Sequence, residues 1–506
     1  MASRRDELNA YTFAKRRLVA QFLQPNPSGT EEGAPKPLRA VMPGAIVAVV
    51  VLAVFGAWGM FKPVAPKGWD TPGEHVIVAD KSTTRYVVLK TGSKVQLHPV
   101  LNMASAKLLL NSDNGKVITV KEDLLDKSAL HHGPTIGIPY APDRLPDPKD
   151  AGAVKRWAVC ERPGQGGRTQ KATFVFAERE ARETEGRERL RGGQLLYVEG
   201  PAPEKIRYVV DAAGRAYELQ KDDELLLRQV VGHGRVPQKV SADWLATLHK
   251  GDPIEFPRVP GTVGGASEAT DDYKVGTILQ AADGDREQKY LVLGDRIAPV
   301  SDFTAKLLLN SEQLADVGQR GNAEEVSAAA IPNPGAAFGD DLKWPQADPG
   351  VVNDPATSSG SRNTVCSVLR GVDKDSGRTS LSTWAGKSYP KALANGGSSA
   401  YVTPGSGLLF RQIKGSETKS GFLFLVTDTG LRYAMQSNGD TSTDDAGIGE
   451  SGSAEEREAA QREAAAAQER LGYKSVDPVP VPAEWSTFLP TGPRLSTGAA
   501  RQPQGS

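Results

Sequence analysis

Gly386-Lys387-Ser388 is the triplet that closes a phosphate-binding loop, so the first question is whether this chain cradles a nucleotide. Such a loop needs a glycine five residues before Gly386; Leu381 stands there, and the spacing fails. FLFLVTD, Phe422 to Asp428, imitates a strand ending in a magnesium-binding aspartate. Without the phosphate loop it reads instead as a buried strand, matching IRYVVD, Ile206 to Asp211. The histidines His75, His98, His131, His132, His233 and His249 form neither an HExxH motif nor an i,i+4 metal pair. No G-x-S-x-G elbow is present. The residues offer no positive evidence for catalysis, and neither a cofactor nor a metal is expected.

The elements that must position these residues are set by composition. At 506 residues the chain predicts about three globular units. Gly (53) and Pro (35) make up about one residue in six, which indicates a turn-rich, β-rich α+β body with linkers rather than a helical bundle. Lys+Arg and Asp+Glu are both 61, so no bulk charge draws the chain to nucleic acid. Cys160 and Cys366 are too few for a disulfide-dense scaffold or a four-cysteine zinc site.

Val41 to Phe61 runs 21 residues without a charge. At ~1.5 Å per residue it reaches about 31 Å, enough for a transmembrane helix. A cleaved signal peptide would be shorter and nearer the start. Trp58, Phe61 and Lys62 suit the membrane interface. Seven Lys and Arg residues precede the helix, while Lys62 and Lys67 balance its near ends, so charge only weakly favours a cytoplasmic N-terminus. Before it, Asp6 to Leu23 places Leu8, Tyr11, Leu18 and Phe22 at helical spacing beside Lys15, Arg16 and Arg17. This predicts a basic amphipathic helix that touches lipid or a cytoplasmic partner, the alternative being an ordinary solvated helix.

The segment from Pro99 to Ser112 recurs from Pro299 to Ser311, sharing AKLLLNS. WAVCER around Cys160 parallels NTVCSV around Cys366; GGQLLYV (192–198) parallels GSGLLFR (405–411); Tyr208 to Leu219 parallels Phe424 to Met435; SADW ending at Trp244 parallels PAEW ending at Trp485. The preserved order predicts two halves related by a pseudo-twofold axis, contributing four small units around a shared centre. Equivalent residues near such an axis lie close together. Cys160 and Cys366 are equivalents, joined as a disulfide or buried as two free thiols.

The expected organisation is a cytoplasmic helix and linker over 1–40, the membrane helix over 41–61, and repeat units at 75–130, 205–256, 275–320 and 420–493. The central domain is expected from 150–200 and 350–415, an insertion at about 437–470, and a disordered tail over 494–506. The alanine-rich stretch Ala454 to Leu471 reads as a solvent-exposed helix or lightly docked arm.

Together, AYTFAKRRLVAQFL, the single anchor, the paired AKLLLNS repeats, the spacer GIPYAPDRLP (Gly137 to Pro146) and the duplicated cysteines resemble EccB, a core membrane component of actinobacterial type VII secretion systems. The resemblance runs from about residue 3 to about 493; the insertion and the tail after Pro490 depart from it. It implies a cytoplasmic N-terminus, one crossing of the cell (inner) membrane, and an elongated extracytoplasmic body with a disulfide carried onto Cys160 and Cys366. It further implies self-association and assembly with the EccC motor ATPase, EccD, EccE and a mycosin protease. EccB-like proteins have been described as ATP-hydrolysing, and no residue here supports carrying that site over. A structural secretion subunit is therefore the expected function, with an ATP-hydrolysing component or a peptidoglycan-binding anchored module as alternatives.

Overall fold

The computed structural model describes residues 4–23, 38–61, 65–111, 115–220, 222–283, 286–331, 334–357, 360–393, 399–435 and 454–504. The chain divides into two units, Met1–Lys67 with Val120–Ser128, and Gly68–Thr119 with Ala129–Ser506.

In the first unit Arg4–Leu23 is a helix whose first turn carries Asp6 and Glu7, the charge its N-terminal dipole favours. A second helix, Leu38–Phe61, follows. From Val41 to Phe55 its large apolar side chains are each at least 46% exposed. Among the described residues no helix is long and apolar enough to cross a membrane. Trp58 and Phe61 fall in the last turn of this helix, while Lys62 lies outside the described residues.

The second unit is built from a central sheet and four outer ones. The central order is Thr379–Gly386, Thr364–Val372, Arg156–Pro163, Thr169–Phe176, Ala400–Val402. Its first four strands are two antiparallel hairpins joined edge to edge, with Cys160 directly opposite Cys366. The second hairpin's side is flanked by Leu190, whose amide bonds Thr383 O, and the first hairpin's side by Ala400–Val402. Each half of the sequence thus borders the other half's hairpin, the second half with a strand and the first with the isolated bridge of Arg189 to Trp384.

Each outer sheet starts as a three-strand antiparallel meander. The meanders are His75–Ala79, Arg85–Thr91 and Lys94–Val100; Gln194–Glu199, Arg207–Val210 and Arg215–Leu219; Ile278–Asp283, Arg286–Val292 and Ile297–Val300; and Leu408–Ile413, Leu423–Val426 and Arg432–Ala434. After each comes a helix: Met103–Leu108, Glu224–Val230, Asp302–Leu309 and Ala454–Arg470 respectively. Both AKLLLNS copies begin on such a helix, capped by Asn102 accepting from Ser105 N and by Ser301 accepting from Thr304 N. Parallel additions then complete the sheets, for instance Val479–Pro482 on Leu408–Ile413 and His249–Lys250 on Arg215–Leu219.

Several expectations need correction. Gln194–Glu199 and Leu408–Ile413, assigned to the centre, ladder onto outer strands instead, because a hydrogen-bonded register across 200 or 415 outweighs the motif boundary. The tail is not disordered over 494–504: Thr497–Ala500 is a helix, Leu495 and Ala500 are fully buried, and Pro503 bridges Ile136. The alanine-rich helix is no loosely docked arm at its C-terminal end. Ala464, Ala467 and Leu471 enter the same core as Val76, Leu108 and Tyr433, since methyl side chains let two helices approach closely. Residues 436–453 of the insertion lie outside the described residues.

This core joins the first and fourth outer sheets, while Tyr217, Leu226, Phe303, Leu307 and Trp344 form another between the second and third. Trp157, Trp244 and Trp485 share the core under the central sheet.

Candidate functional site

The cysteines sit side by side on neighbouring strands, and both are fully buried. They form a disulfide with an S–S distance of 2.04 Å. Phe174, Phe176 and Trp384 enclose it. The free-thiol alternative is therefore set aside, and neither sulfur is a nucleophile.

Next to it, the carboxylate of Glu161 is fully buried. Ser241 donates to it twice, from N at 2.9 Å and from Oγ at 2.5 Å, and Lys171 Nζ stands 3.8 Å away, itself 3.1 Å from Asp243. Burial drives its pKa above the ordinary carboxylate value, more than these donors and Lys171 lower it. Ser241 also caps the helix Ala242–Ala246, from which Trp244 Nε1 donates to Val159 O at 3.0 Å. SADW is thus a clamp that holds the second outer sheet to the centre. PAEW has the matching place in the fourth: Trp485 is buried in the core under the central sheet, Ser486 Oγ accepts from Gln412 Nε2 at 2.7 Å within the fourth sheet, and Phe488 O accepts from Thr173 Oγ1 of the central sheet at 3.3 Å.

The linkers into the centre are pinned by polar side chains. Asp150 accepts from Ser406 Oγ at 2.7 Å, Gly407 N at 2.9 Å and the buried Lys155 Nζ at 2.9 Å. Burial pushes its pKa up, but those bonds prevail and hold it below the usual range. Asn353 exchanges bonds with the N and O of Tyr197, fixing the second linker. Glu185, in the charge-dense stretch from Ala177 to Arg191, accepts from Arg156 and Arg189 and pairs with Arg370, each at 2.7 Å. Nothing local in sequence links Glu185 to Arg370, so this clasp was missed.

The motifs that suggested chemistry are dispersed. Gly386 ends an antiparallel strand, and Lys387 to Leu393 continue as bends and irregular backbone, where a phosphate loop would open a helix. Asp428 accepts from Gly405 N at 2.9 Å and lies 4.0 Å from Arg144. His98 bonds Pro134 O at 3.0 Å and His249 bonds Thr379 Oγ1 at 2.6 Å, while His131 and His132 form a short exposed strand beside Lys94–Val100. Among the described residues no group of His, Cys, Asp or Glu could hold a metal ion.

On the N-terminal helix Tyr11, Leu18 and Phe22 are 68%, 69% and 91% exposed, and Lys15, Arg16 and Arg17 are exposed beside them. Ordinary soluble helices bury one apolar stripe.

The family model for the type VII secretion system ESX-1 transport TM domain B matches residues 1–505. The ESX-3 secretion system ATPase EccB3 of Mycolicibacterium smegmatis is 28% identical over 492 residues, covering 91% of this chain and 83% of that protein. The EccB3 protein of Mycobacterium tuberculosis is 26% identical over 531 residues, covering 98% and 88%. Among solved structures, an EccB3 dimer from the ESX-3 core complex superposes with TM-score 0.57 at 24% identity, over 84% of this chain and all of that one. A chain of an intact ESX-5 inner membrane complex does so with TM-score 0.57 at 20% identity, over 100% and 96%. With its whole length matched and its body sharing the fold of those chains, the protein belongs to the EccB family of type VII secretion systems.

Proposed function

We propose that this chain is a structural core subunit of a type VII protein secretion complex in the inner membrane. The observation that carries this reading is the contrast within the chain: a disulfide-joined body whose buried Glu161 is held in an internal clamp, and N-terminal helices whose apolar side chains are exposed. Val41–Phe61 crosses the membrane once. Its charge-free sequence and the exposure of its apolar side chains support that assignment. The N-terminus is cytoplasmic, where Tyr11, Lys15, Arg16, Arg17, Leu18 and Phe22 contact lipid or the export machinery. The body is extracytoplasmic, in keeping with its disulfide.

The body is a duplication. Meander, helix and parallel additions recur in one order, and Cys160 faces Cys366 where a pseudo-twofold axis would pass. Partners are a second copy of the chain and the secretion subunits EccC, EccD, EccE and mycosin. Deleting the gene abolishes export of secreted substrates; unchanged export would sink the proposal.

The relatives' names carry the word ATPase, which favours hydrolysis as a second reading. The placement of Gly386 and Asp428 argues against a nucleotide site at those residues. Turnover by the purified chain that disappears with a single surface substitution would establish it, and no turnover would remove it.

A further inference from the structure

Arg215, His249, Lys343 and Arg378 line one cleft of about 560 Å³, with the hydroxyls of Ser376 and Thr379 at its wall. It forms where the second outer sheet meets the tip of the central hairpin. Arg215 and His249 are register partners on adjoining parallel strands. The hairpin tip is fixed against the fourth outer sheet: a Cβ on Gly377, whose φ is +69°, would come within 2.7 Å of Gly415 O.

Among the described residues none of Arg215, Lys343 and Arg378 makes a direct ion pair; the charges of Asp373 and Asp211 reach Arg378 and His249 at longer range, and the carboxylates nearby spend their oxygens on other donors. Asp211 accepts from Tyr217 OH and from the amides of Ala213 and Arg215; Asp252 accepts from Lys343 N; Asp373 accepts from Ser376 N and Oγ. Burial first, and the Arg215 charge second, hold His249 below the usual histidine range, so its ring is neutral near pH 7 and bonds Thr379.

The fold does not demand these cations. In the fourth sheet the same framework is present, a tyrosine ring packed over a glycine: a Cβ on Gly251 would meet Tyr217 at 2.4 Å, and one on Gly492 would meet Tyr433 at 2.5 Å. There the positions matching Arg215 and His249 are Leu431 and Pro490. Lys343 precedes Trp344-Pro345 as Arg144 precedes Leu145-Pro146. Arg144 lies 4.0 Å from Asp428, yet the residue matching Asp428 is Ala212, so Lys343 has no such carboxylate.

We propose that this cleft binds a small phosphoryl anion carrying two or more negative charges. Two guanidinium forks and an ammonium suit bidentate and point-charge recognition of phosphoryl oxygens. The volume of about 560 Å³ admits a diphosphate as well as a single phosphate.

The test is calorimetric titration of the full-length solubilised chain with pyrophosphate, and separately with inorganic phosphate, at low salt. Saturable one-site binding is expected, tighter for pyrophosphate. Arg215→Gln and Arg378→Gln should each weaken it about tenfold, with little shift in thermal unfolding, since neither side chain makes a direct ion pair among the described residues. Arg235→Gln, at an exposed position outside the cleft, should leave it unchanged. Absence of binding, unchanged affinity when Arg215→Gln and Arg378→Gln are combined, or the same loss in Arg235→Gln would overturn the proposal.

Discussion

Glu161 is a carboxylate held where water cannot reach it, and its two bonds from Ser241 tie an outer sheet to the centre. Because burial raises its pKa in the folded chain, folding favours its protonated form. Its contribution is therefore fully present below the ordinary carboxylate value and is lost as pH rises through the raised one. Lys171, Ser241 and Asp243 are the groups that face it. Glu161→Gln removes this titration, so the difference in melting temperature, variant minus wild type, should grow more favourable from pH 4 to pH 8; a flat difference would contradict this. Asp150→Asn acts oppositely, leaving the buried ammonium of Lys155 without its carboxylate. It should cost about 2 kcal/mol in denaturant unfolding. Neither role was legible in the sequence. Glu161 is one acid in 61 acidic residues, and Ser241, 80 positions away, meets it only after the sheets assemble.

At the scale of elements, periodicity and repeats were informative where a strand or helix buries large side chains, as in AKLLLNS and its meanders. They failed where burial is carried by small residues. The alanines at 464 and 467 have no hydropathic signature, and Leu495 and Ala500 stand in a polar stretch, yet all four lie in the core that joins the first and fourth sheets. The residues after Pro490 act as a strap: Thr491 bridges Arg432, and Gln504 Nε2 bonds Gly137 O at 2.8 Å. Leu495→Ala should destabilise the chain by about 3 kcal/mol. It should also raise amide exchange in Met103–Leu108, the helix beside the strap. Exchange unchanged there would show that the strap is decorative.

At the scale of the molecule, the disulfide joins two hairpins 206 residues apart in sequence, and the halves border each other's strands. The double variant Cys160→Ser, Cys366→Ser should lose about 5 kcal/mol by the chain-entropy argument, read from a lower denaturant midpoint. An unchanged midpoint, or two free thiols in the unreduced wild type, would refute the role assigned to it. The central claim is that this body and its outward-facing N-terminal helices serve a secretion assembly. Its most direct test is purification of the tagged chain from native membranes in mild detergent, with the recovered complex identified by mass spectrometry. The account predicts a large complex holding further copies of the chain with EccC, EccD and EccE, reduced when Tyr11, Leu18 and Phe22 are changed together to serine. Recovery of the chain alone, at the mass of a single copy, would contradict it.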